Sequence, residues 1–208
     1  MNIRHLPLLL ILLPLAACSS LFNVQRTPFT IYSPKLAAPA ATAAAAPVDW
    51  QLAVETPLAS DALDTARIVV MPSPGVIEVY PGARWSDSAP ALLRNLIVQG
   101  FEDSRRIVGV GSAASGLRAD YALAIELRDF QLEVNPATHA QIRLQVRLLD
   151  YTSNRVLAGQ MFSAEAPAAG RDAAAAFAGF QDALNRIVPE LVDWTLRQGE
   201  AAHAAKKG

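Results

Sequence analysis

The stretch Tyr121-Ala-Leu-Ala-Ile-Glu-Leu-Arg-Asp-Phe-Gln-Leu-Glu-Val134 sets the fold class. Tyr121, Leu123, Ile125 and Leu127 alternate with Ala122, Ala124, Glu126 and Arg128, which is the period of a strand with one buried face. The phase then slips by one residue, to Phe130, Leu132 and Val134. A one-residue slip moves every later side chain to the other face, so a β-bulge near Asp129 is expected to restore the pattern. Asn135-Pro136 reads as a turn. Ala140, Ile142, Leu144, Val146 and Leu148 then alternate with Gln141, Arg143, Gln145 and Arg147. A hairpin loop over Asp150 to Asn154 leads to a third strand, Arg155 to Ala164, so the three strands predict an antiparallel meander.

Upstream, Trp50 to Thr56 alternates weakly, and Ala66 to Met71 carries the β-branched run Ile68-Val69-Val70 closed by Pro72. Such a run suits a strand buried on both faces. Gly75 opens Val76 to Tyr80, and Pro81-Gly82 predicts a reversal. Ser86-Asp87-Ser88 offers capping side chains. Leu93, Leu96, Ile97, Gly100 and Phe101 follow at helical spacing, which predicts a helix from about Ser86 to Asp103. A strand over Arg106 to Val110 comes next. A second apolar stripe, Phe177, Phe180, Leu184, Ile187, Val188, Leu191 and Thr195, predicts a helix from Asp172 to Gln198, kinked or broken at Pro189. The polar, Ala-rich 199–208 is expected to fray as a disordered tail. The sum is one α+β domain, an α/β sandwich in which a mixed, mainly antiparallel sheet is covered by two amphipathic helices.

The beginning of the chain carries a different message. Arg4 precedes an apolar run from Leu6 to Leu15, followed by Leu15-Ala16-Ala17-Cys18. The run is too short to span a bilayer as a lasting helix and reads as a signal peptide over 1–17. A cysteine at the cleavage point resembles the lipobox of bacterial lipoproteins, whose thiol takes a diacylglyceryl group and whose freed amine takes a further acyl chain. Cys18 is the single cysteine of 208 residues. An exported chain with one thiol forms no internal disulfide. Two or more acyl chains anchor stably, at about 0.8 kcal/mol per buried methylene. Ser19 stands where an Asp usually retains such proteins in the inner membrane, which predicts outer-membrane sorting with the domain facing the periplasm. Residues 18–47 then form a lipidated N-terminus with a short strand at Phe29-Thr30-Ile31-Tyr32 and an Ala/Pro-rich tether from Leu36 to Pro47. The domain proper spans 48–198, with 29–32 a candidate member.

Eighteen basic and nineteen acidic residues give a formal net charge of -1. No basic stripe is expected, which argues against nucleic acid as a partner. Gly109-Val110-Gly111-Ser112-Ala113-Ala114 matches a dinucleotide fingerprint, but the next strand follows too closely for a crossover helix. His5, His139 and His203 are not expected to converge on a metal. No G-x-S-x-G is present to support a hydrolase, for which His139 would be the one base to consider. Neither catalytic residues nor a cofactor beyond the lipid on Cys18 is expected. Arg143 and Arg147, with Arg128 beside them, read as a solvated sheet face or as a docking face for an acidic partner. Gly82-Ala83-Arg84-Trp85-Ser86-Asp87 is the most unusual stretch. A tryptophan just ahead of a helix must pack, and Arg84 can stack on it or pair with Asp87. The two readings are a structural corner plugging the core, or a docking surface for a partner made of Arg84, Trp85 and Asp87.

Taken together, the lipobox at Cys18, Ile68 to Pro72, Val79-Tyr80 with Arg84-Trp85-Ser86-Asp87, Ala119-Asp120-Tyr121 with Phe130, and the Ala176-Phe177 to Trp194 helix resemble a known family. The chain is similar, from about Phe29 to Trp194, to the ABC-type transport auxiliary lipoproteins of the paraquat-inducible protein C type. That resemblance implies a non-enzymatic accessory subunit working with an ABC ATPase, a permease and a periplasmic protein with mammalian-cell-entry domains. Such systems move lipids or other hydrophobic molecules across the envelope. It also implies a fold similar to the N-terminal domain of the Tol-system β-propeller protein. A homo-oligomer is compatible with it. The competing reading is a structural envelope lipoprotein without a transporter.

Overall fold

The computed structural model describes residues 28–38 and 46–208. Cys18, Ser19 and the expected signal peptide lie outside them. Nine strands and two helices are present among the described residues. They are β1 (Thr30–Tyr32), β2 (Leu52–Val54), β3 (Leu58–Ala59), β4 (Arg67–Ser73), β5 (Val76–Trp85), α1 (Ala89–Ser104), β6 (Val110–Ser112), β7 (Tyr121–Glu133), β8 (His139–Asp150), β9 (Val156–Pro167) and α2 (Ala173–Lys207).

The meander β7-β8-β9 is the frame of the sheet, in antiparallel register from Glu133 opposite His139 to Leu149 opposite Val156. The register shifts between Leu127 and Asp129, so Arg128 is the extra residue of the expected bulge. The other edge of β7 is shared. Its first half pairs in parallel with β2 and β3, and its last residues pair in parallel with β4. From β4 the sheet continues to β5 and the edge strand β1, and from β2 to β6. The long ladders are antiparallel, while the parallel pairings are each two or three residues long. The fold is a curled α+β sandwich, with both helices packed on one face around Leu123, Ile142, Phe162, Leu93, Phe180 and Leu191.

Several expectations need correcting. Pro81-Gly82 does not reverse the chain. β5 runs through it to Trp85, and four residues lie between Val79 and Arg84 where β4 has one between Arg67 and Val69. The turn residues make a bulge, with Gly82 at φ +67° against the carbonyl of Pro28. The strand expected at Arg106 to Val110 is only Val110–Ser112, preceded by an isolated bridge from Ile107 to Val48. α1 begins at Ala89 rather than Ser86, with Pro90 in its first turn, where a missing N–H costs little. The Gly109 to Ala114 stretch becomes β6 and a 3-10 turn, not a crossover helix.

α2 is neither broken at Pro189 nor ended at Gln198. Pro189 is on the exposed side, where the freed carbonyl of Asn185 can meet water. The expected tail is the last turns of this helix. Gly199 lets it lie on Trp50, since a Cβ there would stand 2.6 Å from the indole Cη2. Lys206 and Lys207 then reach Asp150 and Asp49, at 2.5 and 2.6 Å. The start of the expected tether is docked too: Lys35 and Ala37 donate their N–H groups to Gln181 and Asn185 of α2, at 3.0 and 2.9 Å. Residues 39–45 lie outside the described ones.

Candidate partner-docking corner

The end of β5 is where three parts of the chain meet. The Trp85 N–H donates to the Ala66 carbonyl at 2.7 Å, Ser86 N–H to the Tyr32 carbonyl at 2.9 Å, and Ala89 N–H to the Thr65 carbonyl at 3.0 Å. These bonds lock the start of α1 to β1 and to the entry of β4. They also fix which way Arg84, Trp85 and Asp87 point, and the three do not share a surface.

Trp85 is 1 % exposed. Its ring lies 5.5 Å from Phe130 and 5.1 Å edge-on from Phe180, which themselves pack at 4.8 Å. A side chain enclosed by two aromatic neighbours of the core and 1 % exposed offers nothing to a partner, so Trp85 is the structural plug of this corner and not a docking residue. Arg84 neither stacks on it nor pairs with Asp87. Its guanidinium sits 5.3 Å from the centre of the Phe29 ring, on the face of the sheet away from the helices. Asp87 is exposed, and its Oδ1 accepts the Ser88 N–H at 2.8 Å, fixing the turn into α1.

Asp87 closes one end of a groove of about 340 Å³. One wall is Ser33, Pro34 and Lys35, which leave β1 and cross the helix layer. The other is the Leu92, Asn95, Leu96 and Gln99 side of α1. The floor is apolar, through Pro34 and Leu96. The rim offers amides, the hydroxyls of Ser33 and Ser86, and the opposite charges of Lys35 and Asp87. Such a site suits a short polypeptide segment held by a few directed hydrogen bonds. The sequence reading missed the Ser33–Lys35 wall and the polar pair Asn95 and Gln99. The four-residue spacing of Asn95 and Gln99 on the polar side of α1 was the one available sign.

Two of the three arginines expected on this sheet face are neutralised from within, and Arg147 has no ion pair among the described residues. Asp129, next to the bulge, pairs with Arg143, and Arg128 reaches Glu126 at 3.3 Å. This is the solvated-face reading. His139 opens β8 with Nδ1 2.8 Å from the Ala137 carbonyl and does not line the groove. Among the described residues no group of three or more His, Cys, Asp or Glu could hold a metal ion, and no helix is long and apolar enough to cross a membrane.

The opposite end of the core is built differently. Trp50 stacks edge-on to Tyr121 at 5.3 Å and points its indole N–H toward Glu200, at 3.4 Å. Around it Asp49 meets Lys207 and, at 3.1 Å, His203 Nε2. The hydrogen bond from Lys206, with help from the Ser153 N–H and hydroxyl, holds the Asp150 carboxyl well below the usual carboxylate range. Asp49 is lowered as well, mainly by its hydrogen bond from Lys207. Burial pushes the Tyr121 hydroxyl up, and Lys206 Nζ sits 4.9 Å from its ring centre.

Residues 32–192 match the model of the family described as the ABC-type transport auxiliary lipoprotein component. A crystal structure of a Xanthomonas campestris protein from a domain family of unknown function superposes with a TM-score of 0.78 at 37 % identity. It covers 84 % of this chain and 99 % of that one. A hypothetical protein of Chlamydia trachomatis shares the fold alone, at a TM-score of 0.50 and 13 % identity over 73 % of this chain and 99 % of its own. An uncharacterised protein of Bradyrhizobium diazoefficiens is 30 % identical over 176 residues, covering 83 % of this chain. The chain spans only 45 % of that relative's length.

Proposed function

The chain belongs to the ABC-type transport auxiliary lipoprotein family, and from that premise we propose that it is a non-enzymatic docking subunit of an envelope transporter. Acyl chains on Cys18 hold it to a membrane, and Ser19 at the second mature position directs it to the outer membrane, periplasmic side. Its partner is a periplasmic protein with mammalian-cell-entry domains, joined to an ABC ATPase and permease, and the cargo is lipid or another hydrophobic molecule. The likeness to the N-terminal domain of the Tol-system β-propeller protein is part of the same reading. The observation that carries it is the family match across 32–192, nearly the whole of the described fold.

The groove between Ser33–Lys35 and α1 receives the partner, with Asp87 in place of the Arg84-Trp85-Asp87 cluster expected from the sequence. Its polar rim and apolar floor support this use. The chemistry is positioning: the groove holds the end of the partner at the membrane, and no bond is made or broken. The test is affinity purification of the full chain from detergent-solubilised native membranes. A mammalian-cell-entry protein is expected in the eluate, and Asp87→Arg together with Gln99→Arg should deplete it about tenfold or more, as loss of a few directed contacts does. Absence of such a protein from the wild-type eluate would sink the assignment. Its persistence in the double variant would remove the groove from it.

A further inference from the structure

Three neighbouring strands bring Ile31, Arg84 and Arg67 into one row: Ile31 is the register partner of Arg84 on β5, and Arg84 that of Arg67 on β4. Their chain neighbours Tyr32, Trp85 and Ile68 turn into the helix-covered core, with Tyr32 packed on Phe177 of α2 at 5.1 Å. Strand alternation therefore aims Ile31, Arg84 and Arg67 at the bare face of the sheet. Phe29, two residues before Ile31, lies on the same face under the Arg84 guanidinium. Phe29 is 60 % exposed and Ile31 54 %, on an edge strand, and both arginines are exposed.

This arrangement costs stability. Like charges directly opposite on adjacent strands repel. Among the described residues neither arginine has a carboxylate within ion-pair distance, and Asp129, farther across the same face, is held by Arg143. Large apolar side chains on an open sheet edge also invite aggregation. Two unneutralised guanidinium groups flanked by an exposed Phe and an exposed Ile match an anionic lipid surface. The rings and branched chains sink into the acyl boundary, and the guanidinium forks bind phosphate.

Chain length points to the same occupant. Nine residues, and so ten chain steps, separate Cys18 from Pro28, the first described residue. Fully extended, those ten steps reach about 35 Å. Whatever Cys18 is anchored in therefore lies within a short tether of this patch, and β1 is the first described element after the anchor.

We propose that the patch formed by Phe29, Ile31, Arg67 and Arg84 lies against the anionic phospholipid surface that holds the acylated Cys18. The inference rests on the acylation reading above and goes beyond it. It sets the orientation of the domain, with the sheet's bare face at β1 toward the membrane and the groove in the helix layer left free.

The test uses the acylated mature chain reconstituted in phosphatidylcholine vesicles with or without phosphatidylglycerol. A fluorophore is placed at Ile31→Cys, or at Val156→Cys on the far edge strand, and quenched by brominated phospholipid. Strong quenching at 31 and little at 156 is expected, dependent on phosphatidylglycerol and weakened by salt. Arg67→Gln with Arg84→Gln relieves repulsion, so the fold stays intact. It should lower the docked population relative to the undocked one about thirtyfold, the effect of two arginines lost at an anionic surface. Equal quenching at 31 and 156, no response to the double variant, or the same signal without the anionic lipid would overturn the proposal. Self-association through this face in place of lipid contact would overturn it too. The mass of the N-terminal fragment reports acylation in the same sample. An unacylated Cys18 overturns the anchoring reading and this one together, whereas an acylated chain without quenching overturns only this one.

Discussion

Each end of the core is plugged by a tryptophan, and the two plugs are held by different forces. Trp85 is surrounded by Phe130, Phe180 and the body of the core, and its indole N–H has no partner among the described residues. Trp50 lies under the last turns of α2, its N–H directed to Glu200, inside a ring of charges from Asp49, Asp150, Lys206 and Lys207, with the His203 ring beside Asp49. At the Trp50 end the surrounding charges satisfy one another, and the surface there is closed. At the Trp85 end dispersion and burial supply the stability, which leaves the neighbouring charges Arg67, Arg84 and Asp87 uncommitted to any ion pair. The difference shows that a corner can be structural in its buried side chain and available in the exposed ones beside it.

The sharpest way to break this contrast is to remove each plug. Trp85→Ala is expected to cost about 3–5 kcal/mol, the range for truncating a fully buried large aromatic. The urea-denaturation midpoint should fall accordingly. A loss below 1 kcal/mol would mean that the aromatic cluster is not what holds this end. Gly199→Leu attacks the other end by overpacking. A side chain there must displace the Trp50 ring or lift the helix, at about 1–3 kcal/mol. The same denaturation series checks it, and an unchanged midpoint would mean that the contact of Gly199 with Trp50 is not tight.

Acid separates the two ends without changing their packing. Asp49 and Asp150 have folded-state pKa values below the ordinary carboxylate value of 3.8. Groups of this kind stabilise the fold above the ordinary value and lose that contribution as pH falls from there toward the folded one. Wild-type thermal stability should therefore drop on acidification below pH about 4, and Asp49→Asn with Asp150→Asn should flatten that limb while leaving the Trp85 end unaffected. An unchanged acid slope in the double variant would show that the charge ring does not contribute. The smallest effect is expected from Arg106→Ala. Its pair with Asp193 is half exposed, and such pairs are worth less than about 1 kcal/mol.

The meander and its bulge were legible in the sequence because both are local. β7, β8 and β9 follow one another, and a period-2 pattern with a phase slip specifies faces and bulge directly. The parallel pairings of β2, β3 and β4 with β7 were not legible. Each is two or three residues long and joins segments more than fifty residues apart, so no pattern within a window records it. Pro81-Gly82 misled because turn residues also serve bulges, and the choice depends on the partner strand. The tail was misread because its order comes from Trp50 and Asp49, about 150 residues away. At the corner, the need for Trp85 to pack was visible in its position ahead of a helix. The separation of Arg84 from Asp87 was not, since it depends on β1 adding to β5.

β7 is the one strand that touches both halves of the sheet, and this bears on the order of assembly. Of the segments before it, β2, β3 and β4 lay their longest-range hydrogen bonds on residues 121–133. During any vectorial appearance of the chain, from a ribosome or through a membrane pore, β1, β4 and β5 can pair with one another, as can β2 with β6, but the strand that joins the two groups is still missing. The seam closes from the C-terminal side, when Tyr121–Glu133 arrives and folds back on His139–Asp150. Until then the β1-β5-β4 group and the β2-β6 pair have no common strand between them.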